Sequence, residues 1–190
     1  MKALETTNCL ALEAPGGVDG VIYVGKRTDI ASVTFGANGE VTALTLKAST
    51  YLRKYASAKE TNDFKYTTVV QKPRNMFTQT ATISFWPYTP LEHEAVQKLG
   101  LIKRAFVIYV TADNRVKVAG IDRNPWKPGD MDDERGLSGS IEGAEGIVFT
   151  DSKAEKVTFT GNFYEKPKLF QPAIDTEDII TTLDAMLETA

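Results

Sequence analysis

Alternation of apolar and polar positions dominates this chain, and it predicts strands. Ile30-Ala31-Ser32-Val33-Thr34-Phe35 and Val41-Thr42-Ala43-Leu44-Thr45-Leu46 both run with period two, on either side of Gly36-Ala37-Asn38-Gly39-Glu40. Asn-Gly tolerates positive φ at both centres of a type I′ turn, whose twist suits paired strands, so this segment predicts a β-hairpin. Val21-Ile22-Tyr23-Val24 predicts a shorter strand after the breaker cluster Pro15-Gly16-Gly17. A second hairpin is expected from Ala105–Thr111, a turn at Ala112-Asp113-Asn114-Arg115, and Val116–Gly120. Its first arm is apolar on both faces, as a strand covered from two sides should be. A third pair is expected from Gly146–Thr150 and Lys156–Thr160. There Val157 and Phe159 share one face and Thr158 and Thr160 the other, which predicts one wet face.

The period changes to that of a helix in two places. Thr89-Pro90-Leu91-Glu92 opens one helix with a capping residue, a proline at the first helical position and an acid in the first turn. Leu91, Ala95, Val96 and Leu99 form its apolar stripe, and Gly100 is its expected stop. The other helix is expected over Thr176–Glu188, with a stripe of Ile179, Ile180, Leu183, Met186 and Leu187. That stripe needs a partner, either the chain's own body or a neighbouring subunit.

Two segments are irregular. From Thr50 to Asn75, Tyr51-Leu52-Arg53-Lys54-Tyr55 and Phe64-Lys65-Tyr66-Thr67-Thr68-Val69-Val70 flank a polar tip, and they read as a long two-stranded arm at about 50–76. The stretch Asp122 to Gly143, with Pro125, Trp126, Pro128 and Gly129, reads as a long loop at about 122–146. Loops beyond ~12–15 residues are uncommon unless functional, so both suggest contacts made outside the domain. The expected organisation is one β domain over 1–170, then a linker marked by Pro167 and Pro172, and an acidic amphipathic helix in 171–190.

At 190 residues with 42% hydrophobic and 25% charged residues, the composition is that of a globular chain rather than a disordered, collagen-like or coiled-coil one. The longest apolar run, Ala105–Val110, falls far short of the ~18 residues that suggest a membrane span. The opening Met1-Lys2-Ala3-Leu4-Glu5-Thr6 predicts no secretory leader. The single Cys9 cannot form an internal disulfide, which fits synthesis in a cytoplasm. A net charge of −3 argues against a committed nucleic-acid binder, but it is unevenly spread. Lys47–Arg104 holds ten basic and four acidic residues, whereas Ile174–Ala190 holds five acids and no base. Such asymmetry can steer like subunits together; two solvated faces of opposite sign explain it equally well.

Catalytic patterns are scarce. The only histidine, His93, lies inside the first helix, and Cys9 has no neighbouring base. Those two residues cannot furnish the three or four soft ligands of a zinc site. Asp130-Met131-Asp132-Asp133-Glu134 fails as an EF-hand, with Arg135 where glycine is needed and Ile141 where a bidentate Glu is needed. The glycines Gly136, Gly139, Gly143 and Gly146 precede a strand, so they offer an anion no helix N-terminus. The basic and aromatic residues from Tyr51 to Arg74 could stack bases and touch phosphates, or pack on a neighbour with the lysines in water; the second fits better. No catalytic residue, metal or cofactor is expected.

Three stretches carry a family resemblance through their order. The first runs from Asn8-Cys9-Leu10 through Pro15-Gly16-Gly17-Val18 and Val21-Ile22-Tyr23-Val24 to Ile30–Phe35 and the Asn-Gly hairpin. The second is Phe77-Thr78-Gln79-Thr80-Ala81-Thr82-Ile83-Ser84-Phe85, then the short helix, then Arg104–Val110 with its Asn114 turn. The third is Val157-Thr158-Phe159-Thr160-Gly161-Asn162-Phe163-Tyr164-Glu165-Lys166-Pro167. Together, over roughly Cys9 to Phe170, they resemble the tail-tube-like structural proteins of tailed bacteriophages.

The resemblance implies two antiparallel sheets packed with one helix and a long hairpin arm. With the C-terminal helix read from its own stripe, the expected fold is mainly β (α+β), two packed antiparallel sheets with one flanking helix, a long hairpin arm and a C-terminal helix. It further implies subunits that form rings, usually sixfold or a multiple, stacked as a tail tube or set as a head–tail collar. The expected partners are other copies of the chain, neighbouring tail or portal-proximal proteins, and DNA that passes the lumen without specific binding; no membrane is involved. The expected location is the virion, after synthesis in the host bacterial cytoplasm. The arm's Tyr51, Arg53, Tyr55, Phe64 and Tyr66 are the expected interface, together with Ile179, Ile180, Leu183 and Leu187 of the acidic helix. That helix is a departure from the plain tube pattern, and it leaves tube and collar both open. A carbohydrate- or receptor-binding β-sandwich that uses Trp86, Tyr88 and Trp126 as stacking platforms is the alternative, and an enzyme using Asp130, Asp132 or Asp133 is the third choice.

Overall fold

A computed structural model describes residues 18–56, 62–70, 76–85, 89–111, 114–132, 134–143, 155–172 and 176–187. The fold is mainly β, built from antiparallel sheets with two helices among these residues. Five strands make one sheet: β1 (Val18–Lys26), β4 (Arg53–Ala56), β7 (Ala105–Thr111), β8 (Val116–Ala119) and β13 (Lys168–Leu169), in the order β13-β8-β7-β1-β4. Four strands make a second sheet: β5 (Asp63–Val69), β6 (Met76–Phe85), β11 (Ser138–Gly143) and β12 (Glu155–Phe163), in the order β11-β12-β6-β5. Two smaller hairpins complete it: β2 (Ile30–Phe35) with β3 (Val41–Leu46), and β9 (Arg123–Asn124) with β10 (Lys127–Met131).

The five-stranded sheet is the middle layer, because its central strands carry apolar side chains on both faces. Ile22, Val24, Val107 and Tyr109 point into a first core, shared with Ala81, Ile83, Val157 and Phe159 of the four-stranded sheet. Tyr23, Phe106, Ile108 and Val110 point the other way, into a second core closed by the β2–β3 hairpin and the C-terminal helix. Every residue from Ala105 to Val110 is buried, as an arm apolar on both faces predicts. Along β12 the expected alternation holds: Val157 and Phe159 are buried, while Thr158 and Thr160 face out. Gly146–Thr150, the expected partner of that strand, lies outside the described residues.

The first helix, α1 (Pro90–Gly100), begins with a full capping box: Thr89 Oγ1 accepts from the Glu92 amide at 3.2 Å, and Glu92 accepts from the Thr89 amide at 2.9 Å. Replacing Thr89 with alanine removes one side of this exchange, and a loss of ~1 kcal/mol is expected in denaturant unfolding. Val96 and Leu99 are buried, whereas Leu91, expected on the same stripe, is exposed. Gly100 also differs from its expected role. The helix is closed by Leu101 in ordinary right-handed geometry, and Gly100 is small because the β11 strand lies against it. A Cβ on Gly100 would come within 2.0 Å of Ile141 Cγ1.

The β2–β3 hairpin forms as its alternation predicts, with a different turn. Only Gly39 takes a positive φ, of 85°, and Asn38 does not. The Gly39 amide donates to Gly36 O and the Gly36 amide to Glu40 O, so the loop spans Gly36–Glu40 rather than two residues. Two larger corrections concern the irregular segments. The expected arm is not a hairpin: β4 pairs with β1 and β5 pairs with β6, so its halves edge two different sheets. The expected loop after Asp122 contains the β9–β10 hairpin and then β11, a full strand against β12. Arg27, itself buried, donates from Nε to Arg135 O at 3.0 Å and from Nη2 to Asp132 O, and so ties that stretch to the body.

Candidate assembly surface

β5 supplies the longest uncovered sheet edge among the described residues. It pairs over seven positions with β6 on one side and with no described strand on the other. At the opposite end of the same sheet, β11 is partly covered. Leu137 exchanges hydrogen bonds with Ala105, and the Gly139 amide donates to Ile102 O at 3.0 Å. An open strand edge is a row of unpaired donors and acceptors that invites a further strand, and natural proteins usually blunt it. In β5 only Asp63 and Lys65 act in that sense.

Exposure rather than alternation divides the five arm residues into two sets, since Arg53 and Tyr55 share one face of β4 and Phe64 and Tyr66 one face of β5. Tyr55 sits opposite Ile22 and meets Phe85 edge-on at 5.7 Å between ring centroids; Phe64 stacks on Tyr109 at 3.9 Å. Both rings therefore bridge the two sheets and belong to the border of the first core, not to a free surface. Burial pushes the Tyr55 and Tyr109 hydroxyls above their usual range. Tyr51, Arg53 and Tyr66 remain outward, with Tyr51 45% and Tyr66 48% exposed. The Tyr66 ring meets Phe77 edge-on, with Lys166 Nζ 5.5 Å from its centroid, and Val70 beyond it is bare.

The outer face of the four-stranded sheet is rich in hydroxyls. Cross-strand register places Thr82, Thr158 and Ser140 in one row and Thr80, Thr160 and Ser138 in the next. Thr82 and Thr158 hydroxyls lie 3.3 Å apart, and Thr78 donates to Asn162 at 2.7 Å. The flanking charges alternate in sign: Asp63 and Lys65 on β5, Lys156 opposite Glu142 on β12 and β11.

The second helix, α2 (Thr176–Asp184), does not present its whole stripe to a neighbour. Ile179 and Leu183 are buried in the chain's own second core, so these two side chains have no surface to give to another subunit. Ile180 and Leu187 are half-buried against the same core. Asp184 anchors the helix end by accepting from Tyr23 Oη at 2.7 Å and Lys54 Nζ at 2.8 Å, and these bonds hold its carboxyl below the usual range. The Leu52 amide donates to Met186 O at 2.9 Å just beyond.

One buried polar cluster escapes a reading of the sequence. Asp122, fully buried, accepts from the Tyr164 amide through Oδ2, while its Oδ1 accepts no hydrogen bond among the described residues. Beside it, Glu165 accepts from both Arg123 and Lys168, and Lys168 also donates to Gly39 O at 3.1 Å. Gln79 completes the cluster, with its Nε2 donating to Glu165 O at 2.8 Å and its Oε1 accepting from the Gly120 amide at 3.0 Å. Burial, then the Glu165 charge, pushes the Asp122 carboxyl up to about 6. Burial pushes Glu165 the same way, but the Arg123 and Lys168 hydrogen bonds outweigh it and hold that carboxyl at about 2. Burial also lowers Lys168. Gln79, the neighbours Asp122 and Arg123, and the pair Glu165 and Lys168 stand more than forty positions from one another with no motif spacing, so only the alternation of β6 hinted at a buried Gln79.

The remaining candidates are dispersed. His93 Nδ1 lies 2.6 Å from Glu155 on the surface of α1. Asp132 accepts from Arg135 at 3.0 Å, Asp130 is exposed, and Asp133 lies outside the described residues. Trp126 stands 82% exposed at the β9–β10 turn, and Trp86 and Tyr88 lie outside the described residues. No group of three or more His, Cys, Asp or Glu with metal-holding geometry occurs among the described residues, and no helix there is long and apolar enough to cross a membrane. Comparison with known protein families, with curated proteins and with solved structures finds no match.

Proposed function

We propose that this chain is a virion structural subunit that oligomerises into a ring, stacking as a phage tail tube or forming a head–tail collar through which DNA passes. The reading starts from the ordered resemblance to tail-tube-like proteins, and the uncovered β5 edge carries it. A strand of that length, fringed by Tyr66 and Val70, is an aggregation hazard in a free monomer and a joint in an assembly. Pairing between that edge and a different part of the next copy is head-to-tail, and such a contact closes into a ring when its rotation closes. The hydroxyl face suits a channel wall, because balanced charges and neutral hydroxyls give passing phosphates few strong holds.

Negative-stain electron microscopy of the concentrated protein should show rings or short tubes with a central hole. The double substitution Tyr66→Lys and Thr68→Lys adds two cations along the β5 edge strand, and it should abolish those particles while leaving the thermal midpoint within about 3 °C. Rings that persist in this variant would move the joint away from β5. A protein that stays monomeric at every concentration, with added phage tail extract as nucleator, would sink the ring reading. The exposure of Trp126 favours one second reading, a glycan-binding sandwich. A glycan array with no signal, or a signal unchanged by Trp126→Ala, would remove it.

A further inference from the structure

Asp122 and Glu165 sit where three separate pieces of chain meet. These are the turn of the β2–β3 hairpin, the connection from β8 to β9, and the corner between β12 and β13. The hairpin's hydrogen bond to the cluster is made by its backbone. Lys168 holds Gly39 O, and Gly39 is so close to Arg123 that an added Cβ would stand 3.1 Å from Nη2. The cluster holds two acids and two bases, yet both bases hydrogen-bond to Glu165 and neither to Asp122. Asp122 is thus a fully buried carboxyl with one amide donor, one oxygen that accepts nothing among the described residues, and a second carboxylate beside it. A buried carboxylate in that position is strongly unfavourable, and two adjacent carboxylates resolve it by keeping a proton between them.

We propose that Asp122 keeps a proton that it shares with Glu165, and that this carboxyl–carboxylate pair is a clasp fastening the β2–β3 turn to the β12–β13 corner, tight when the pair is protonated and loosened when the proton leaves. The charged groups facing the pair are Arg123 next in the chain, Lys168 on β13, and Glu40 on the hairpin, whose charge bears on Arg123; Tyr164 contributes its amide and Gln79 a neutral side chain. On deprotonation the cluster gains a negative charge that no base contacts. The repulsion is relieved at the open cleft of about 460 Å3 bordered by Asn38, Gly39, Glu40, Phe77, Glu165 and Lys168. Acidification is therefore a signal this fold can sense, and the inference is independent of the ring reading.

The test is a carboxyl-carbon NMR titration of the whole chain together with hydrogen exchange read by mass spectrometry over the hairpin turn. The Asp122 carboxyl should titrate near pH 6, well above exposed aspartates. Protection of the peptide containing Gly39, corrected for intrinsic exchange, should fall about tenfold between pH 5 and pH 7.5. Asp122→Asn, whose amide can donate to Glu165 without titrating, should make that protection independent of pH. An Asp122 already ionised at pH 5 would overturn the shared proton. A titration near 6 with unchanged protection at the hairpin would overturn the clasp. Should Asp122→Asn fail to fold, the two wild-type measurements decide the matter alone.

Discussion

Replacing Leu183 with alanine is expected to remove about 3 kcal/mol of stability, within the ~2–5 kcal/mol usual for truncating a buried leucine. Leu183 has no exposed surface and packs in the second core among Tyr23, Ile108 and Phe106. The truncation takes away its transfer energy and leaves a cavity that a sheet anchored on both faces cannot collapse to fill. Thr182→Ala, one position away on the exposed side of α2, should change stability by less than about 0.5 kcal/mol. Urea unfolding of the two variants side by side is the measurement. An α2 that served only to join subunits would give the opposite result, with an unchanged unfolding midpoint for Leu183→Ala and a loss of particles under the microscope. The same reasoning predicts that deleting Ile174–Ala190 unfolds the domain rather than merely dispersing an assembly.

Glu165→Gln is expected to be the second costly change, with a loss of roughly 2–4 kcal/mol at neutral pH. Breaking a buried pair is destabilising because the partner stays behind, here Lys168 with only 5% of its side chain exposed. The lower half of that range allows for the 26% exposure of Glu165 itself. The pH dependence has a definite sign. Glu165 is held below its unfolded range, so its contribution is fully present above about pH 4.5 and is lost as pH falls towards about 2. The gap between wild type and Glu165→Gln should therefore be widest at neutral pH and close in strong acid. Asp122 is shifted the other way, so its contribution is present below about pH 4 and declines as pH rises to about 6. Wild-type stability should peak between these two windows, near pH 4 to 5, in a series of denaturant titrations. A curve that keeps rising from pH 4 to pH 7 would contradict the raised Asp122 carboxyl.

Much of the fold was legible along the chain, and the legible parts share a cause. The β2–β3 hairpin, β7 and the start of α1 are each decided within a few residues. Alternation commits a side to the core, an apolar run on both faces commits a strand to the middle, and Thr89-Pro90-Leu91-Glu92 satisfies its own helix end. β11 was not legible, because Ser138-Gly139-Ser140-Ile141-Glu142-Gly143 has little intrinsic strand preference and becomes one only by pairing with β12. The arm failed for a related reason. Two aromatic-rich strands joined by a polar tip look like a hairpin locally, and nothing local says that each edges a different sheet. Of the expected interface, Tyr51, Arg53 and Tyr66 lie outward, while Tyr55, Phe64, Ile179 and Leu183 are taken up by the chain's own cores.

A mainly β chain, its central strand, its capped helix and the wet face of β12 all follow from the periodicity of neighbouring side chains. Which apolar surfaces remain for a partner, that α2 closes a core, and that Asp122, Glu165 and Lys168 meet emerge only in the folded chain. Those outcomes depend on which strands pair across long stretches of chain, and pairing energy is gained only when both partners are already in place.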